Sequence, residues 1–182
     1  MSNWDKSVAF VLRAEGGCSD HPGDRGGRTN LGVTSGTLSR ARAAGIVDAS
    51  DVTALTRADA GKIYKVMYWE ASKADRMPWP LCLLHFDAAV NHGVGGAGKL
   101  LQRALNSLRH AELKVDGAVG SRTLSALDEV LKTLSVETLC EEYLDERQAF
   151  YDRIVRNASS QKVFYKGWMN RLEKLRKVVR AR

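Results

Sequence analysis

With 182 residues, 44% hydrophobic and 27% charged side chains and only 3 prolines, the chain has the composition of an ordinary globular protein. Extensive disorder is excluded, and the length suits one core or two small subdomains sharing one. The whole formal net charge of +7 sits in residues 162–182, where eight basic residues face only Glu173, so an anionic partner is expected at that end of a neutral body.

Apolar spacing is helical almost throughout. Trp4, Val8, Val11 and Leu12 follow i, i+4, i+7, i+8, with Ser2 or Asn3 as N-cap, and this helix should stop at Gly16-Gly17. A loop rich in Gly, Asp and Pro follows from Cys18 to Gly32, with a short β excursion at Leu31-Gly32-Val33. Thr34 or Ser35 caps a helix that ends at Gly45. Thr56-Arg57-Ala58-Asp59 reads as a capping box opening a helix through Trp69. Pro80 suits the first turn of a helix running to Gly93, and another covers Lys99 to Leu108.

Lys114 to Gly120 reads as a tight turn or a small hairpin. Ser121 and Ser135 are caps for two further helices. In the second, Leu139, Tyr143, Glu146, Phe150 and Ile154 share a face. The tail helix aligns Phe164, Trp168, Leu172, Leu175 and Val179. Gly93–Gly98 is the best candidate boundary, giving residues 1–93 and 94–182 as the expected domains.

Cys18, Cys82 and Cys140 are odd in number and widely spaced, which fits free thiols rather than a disulfide framework or a metal site. No stretch approaches the ~20 apolar residues that span a bilayer. The start Met1 to Lys6 lacks the basic and apolar runs of a signal peptide. The expectation is synthesis in a bacterial cytoplasm, with another agent releasing the protein.

Glu15 is the residue that calls for a chemical reading. It continues the apolar stripe of Trp4, Val8 and Val11 to the point where the helix breaks into glycine. A partly desolvated carboxyl has a raised pKa and favours the neutral acid that a glycosidic oxygen needs as its bond breaks. The bland alternative, a surface acid at a helix end, stands on equal terms from geometry alone. The loop shifts the balance, because Asp20 and Asp24 follow within ten residues and glycoside hydrolysis generally uses two carboxylates. Its glycines let backbone approach a bulky sugar. Calcium binding fits poorly, since Asp20 to Gly27 lacks EF-hand spacing and a closing Glu.

The run Glu15-Gly16-Gly17 through Asp24 and Thr29-Asn30 to Thr34 resembles the EGG loop of glycoside hydrolase family 108, whose members are peptidoglycan muramidases, many from phages and prophages. Tyr64 with Met67-Tyr68-Trp69 is similar to that family's YxxxYW helix, and Phe86-Asp87 with Val90-Asn91 and Gly93 to its FDxxVNxG segment. Leu101 to Leu105, Val115 to Leu124 and Lys166 to Arg171 resemble the associated C-terminal peptidoglycan-binding region. The resemblance implies an all-α, lysozyme-like fold with at most a small β-hairpin, and Glu15 as the essential acid.

Asp24 is the expected second carboxylate, with Asp20 the alternative, either activating water or stabilising an oxocarbenium-like state. In phage-type lysozymes the acid is followed after eight residues by a carboxylate and after five more by Thr. Here the second interval lands on Asn30, with Thr29 one place early, so both remain candidates. Thr34, Tyr64, Tyr68, Asp87 and Asn91 complete the expected sugar-binding set. The tyrosine pair is more often core, and Asp87 with Asn91 could instead tie helices together.

No cofactor or metal is expected. The expected partner is peptidoglycan, with anionic envelope polymers or lipopolysaccharide at the basic tail. No nucleic-acid motif accompanies the basic charge, and a monomer is expected. The rivals are a non-catalytic wall-binding scaffold of the same fold and a basic nucleic-acid-binding protein.

Overall fold

The computed structural model describes residues 1–14, 29–109 and 112–181. Among them the chain is mainly helical with one two-stranded sheet, and it divides into two compact units, Met1–Ala71 and Ser72–Arg182.

The first unit opens with α1 (Asn3–Ala14). Ser2 and Asp5 cap it reciprocally: the Asp5 amide donates to the Ser2 hydroxyl at 3.1 Å and the Ser2 amide to the Asp5 carboxylate at 2.9 Å. β1 (Thr29–Asn30) and β2 (Val33–Thr34) pair antiparallel, Thr29 opposite Thr34. Leu31 and Gly32 both have positive φ, 52° and 76°, as a two-residue turn of this hand requires. The expected β excursion is therefore a hairpin whose tip is Leu31-Gly32.

α2 (Ser35–Ala43) follows at once, with Thr34 as cap accepting from the Thr37 amide at 3.2 Å. Gly45, at φ 68°, stands two residues past its end. α3 (Arg57–Tyr64) begins at the expected capping box of Thr56 and Asp59. It does not continue as an α-helix to Trp69: Lys65–Glu70 widens into a π-helical turn. That turn buries Trp69, whose ring meets Trp4 of α1 edge-on at 5.6 Å.

The second unit is built on α4 (Leu81–Arg109), which begins directly after Pro80 and is broken at Gly93 (φ 77°, ψ 160°), so the two helices expected there run on either side of one glycine. α5 (Ser121–Leu131) is capped by Gly120, not Ser121, which is its first residue. α6 (Val136–Asn157) is capped by Ser135 as expected. α7 (Lys162–Arg180) packs Leu172, Leu175 and Val179 into the core, while Trp168 is half-buried and Phe164 exposed.

The segment before α5 is a turn without strands. Asp116 accepts from the Ala118 amide and from Gln102 Nε2, each at 2.9 Å, and Gly117 donates to Gln102 Oε1 at 2.8 Å. The turn lies against α4 so closely that a Cβ on Gly98 would fall 2.1 Å from the Gly117 carbonyl oxygen. Glycine is needed there because backbone meets backbone.

α6 departs from the expected stripe. Leu139, Cys140, Tyr143, Leu144, Arg147 and Tyr151 are buried, so Arg147 takes the inward position that the sequence pattern assigns to Glu146. Cys82 and Cys140 are buried, and Cys18 lies outside the described residues. No helix among the described residues is long and apolar enough to cross a membrane.

Candidate active site and its framework

Glu15, Asp20 and Asp24 lie outside the described residues. The framework on either side of them is defined. In sequence Glu15 is the residue after Ala14, the last of α1, and Arg28 the residue before Thr29, the first of β1.

The hairpin is held by side chains expected at the sugar site. Asn30 Nδ2 donates to the Val52 carbonyl at 2.8 Å. The Tyr64 hydroxyl donates to the Leu31 carbonyl at the hairpin tip, 3.0 Å away, and Tyr64 is 1% exposed. Tyr64 therefore pins the turn from inside the core, and its ring lies 5.8 Å from that of half-buried Tyr68. The Thr34 hydroxyl caps α2 and donates to Thr37 Oγ1 at 3.1 Å. Thr29 pairs across to Thr34 and is half-buried. Within this set Tyr68 is the half-buried aromatic on the π-helical turn, and Thr29 and Asn30 form β1.

Asp87 and Asn91 belong to the second unit, where Asp87 is wholly buried. Its Oδ2 takes Arg147 at 2.6 Å and its Oδ1 takes Arg171 at 2.7 Å. The expected sugar-facing role of Asp87 is corrected on this point: a carboxylate enclosed by two guanidiniums ties α4, α6 and α7 together. Burial alone would raise its pKa, but the two arginines hold it below the usual carboxylate range. Asn91 is exposed and donates through Nδ2 to the Asp87 carbonyl at 2.7 Å.

Two histidines of α4, His85 and His92, are central to this framework. His85 Nε2 lies 3.0 Å from the Ser72 carbonyl and Nδ1 lies 3.2 Å from the Tyr143 hydroxyl. Burial pushes it down to about 4. His92 accepts from Arg147 Nε at 3.0 Å, and burial together with that guanidinium pushes it down to about 3. Both rings are neutral at pH 7. The spacing of Asp87 and Asn91 pointed to this helix; nothing local in the sequence paired Asp87 with Arg147 or Arg171, which lie 60 and 84 residues from it.

Among the described residues the chain is mainly helical with one small hairpin, and in sequence a glycine- and acid-rich segment separates the first helix from that hairpin, the pattern of a lysozyme-like glycoside hydrolase. The chain belongs to glycosyl hydrolase family 108, whose model matches residues 8–93, and a model described as a predicted peptidoglycan domain matches residues 96–173. The solved structure of Brucella abortus SagA is similar, with a TM-score of 0.78 and 30% sequence identity over 97% of this chain and 92% of that one. Among curated proteins nothing matches. The protein is a hydrolase of peptidoglycan, acting on the cell wall.

Proposed function

We propose that the chain is an N-acetylmuramidase that cleaves the β-1,4 bond between N-acetylmuramic acid and N-acetylglucosamine. Glu15 protonates the leaving oxygen, and Asp24 either activates water or stabilises the oxocarbenium-like state, with Asp20 as the alternative. The observation that carries the reading is that the family match runs through Glu15, the residue directly after the last of α1. Residues 1–93 form the catalytic region and 94–182 the wall-binding region in this reading. Thr29, Asn30, Thr34, Tyr68 and Asn91 contribute to sugar binding, with Tyr64 acting through the hairpin it supports. No cofactor takes part. The protein works as a monomer, made in the bacterial cytoplasm and released to the wall.

Mass spectrometry of digested sacculi tests it. Muropeptides ending in reducing N-acetylmuramic acid are expected. Reducing N-acetylglucosamine would make the enzyme a glucosaminidase, and new free amino termini would make it a peptidase.

A further inference from the structure

Within the second unit an open cleft of about 590 Å³ is lined by Asn91, His92, Lys99, Phe150, Tyr151 and Trp168, among others, a volume in the ~300–1,000 Å³ range of small-ligand sites. It is built from both sides of the Gly93 break in α4, the last turns of α6 and the first half of α7. Aromatic rings run along it. Trp168 stacks on Tyr151 at 4.7 Å with planes 13° apart, and His92 meets Phe150 and Tyr151 edge-on at 5.0 and 5.2 Å. Phe164, 54% exposed, extends the row 6.1 Å beyond Trp168. Phe150 and Trp168 are half-buried and Phe164 is exposed, so the row offers aromatic edges and faces to a ligand, while Tyr151 itself is buried.

Apart from the amide oxygen of Asn91, whose Nδ2 is taken by the Asp87 carbonyl, the polar side-chain groups of the cleft donate. Buried Arg147 donates to His92 Nε2 at 3.0 Å and to the Tyr151 hydroxyl oxygen at 3.3 Å. A guanidinium only donates. His92 therefore carries its hydrogen on Nδ1, and the Tyr151 hydroxyl keeps its own hydrogen to give. Lys99, exposed, adds a cation, and no carboxylate stands among the described residues that line the cleft. The surroundings favour a ligand rich in acceptors and negative charge, with an apolar face.

We propose that this cleft binds the muramyl-peptide portion of peptidoglycan. The C–H face of a pyranose lies on the aromatic row, and the N-acetyl carbonyl and stem-peptide carboxylates meet Lys99 and the donors. The inference rests on the peptidoglycan reading, since most of the lining falls in the matched segment 96–173. It adds the place and the ligand class.

Titration calorimetry of the intact chain tests it, with three probes: a soluble disaccharide-tetrapeptide muropeptide, N,N′-diacetylchitobiose and anionic phosphatidylglycerol vesicles. Lys99→Gln and Phe164→Ser change exposed side chains and should leave the melting temperature unchanged. Each is expected to weaken muropeptide binding about tenfold, the worth of one charge-assisted or stacking contact. Chitobiose, without carboxylates, should bind more weakly and be indifferent to Lys99→Gln. Muropeptide affinity unchanged in both variants would overturn the proposal, as would binding of the vesicles without the muropeptide. The muramidase reading fails separately: a lytic Glu15→Gln variant would sink it while leaving the effect of Lys99→Gln on binding intact.

Discussion

Arg147 and Asp87 meet at 2.6 Å with both side chains fully buried, and Arg171 closes on the second carboxylate oxygen at 2.7 Å. This contact joins helices that the chain places sixty residues and more apart. Removing one partner of such a pair strands the other charge out of water. Asp87→Asn should therefore cost about 3–5 kcal/mol, read as a lower denaturation midpoint. Because the folded pKa of Asp87 is depressed, its contribution is present above the unfolded value near 3.8 and is lost as pH falls through the folded one. The variant should thus lose most of its difference from the wild type in strong acid. A near-neutral substitution at pH 7 would show that the triad is not what fastens these helices.

His85 and His92 set a second, milder acid limit. Their folded pKa values of about 4 and about 3 lie below the ordinary 6.5. Stability linked to them is complete above pH 6.5 and declines as pH falls toward the folded values, by up to ~1.4 kcal/mol per pH unit for each ring. Imidazole NMR signals of both should hold constant from pH 8 to pH 5. Titration of either ring near pH 6.5 would refute the buried neutral assignment.

Glu15→Gln should keep the melting temperature and reduce lysis of sacculi by about 10²–10⁴, the worth of a general acid. Lysis within a few-fold of wild type would remove Glu15 from the chemistry. Asp24→Asn should be more damaging than Asp20→Asn; the reverse order would exchange their roles.

The basic tail divides into two groups. Arg176 pairs with Glu141 and, at 2.7 Å, with Asp145, while Arg180 reaches Glu141 at 3.2 Å. These pairs are partly exposed, so Arg176→Gln should cost no more than about 1 kcal/mol. Lys174 and Lys177 are exposed, with no acidic partner among the ion pairs of the described residues. Changing both to Gln should leave stability alone and flatten the salt dependence of wall binding, since such charges are screened beyond ~8 Å at physiological ionic strength. An unchanged salt slope would leave α7 with a packing role only.

Gly98→Ala should destabilise by at least ~2 kcal/mol, because the added methyl meets the Gly117 carbonyl oxygen and neither backbone can withdraw. Gly95→Ala, where a Cβ meets nothing within 4 Å, is the control and should be far milder.

Local chemistry carried much of this architecture. Caps at Ser2, Thr34, Thr56 and Ser135, the stop at Gly45 and the break at Gly93 are each written in a few neighbouring residues, because helix ends are satisfied by nearby side chains and positive φ favours glycine. The family was equally legible, in motifs spread along the chain. Arg147 was not. An arginine in an apolar stripe is ordinarily assigned to water, and Glu146 or Arg147 could face inward on spacing alone. Only the arrival of Asp87 from α4 makes burying a guanidinium tolerable, and that meeting belongs to the tertiary structure. The same holds for His92, whose neutral state is set by burial and by an arginine 55 residues away that also fixes its hydrogen position. Periodicity reports which face of a helix is apolar. Which charge it buries depends on what packs against it.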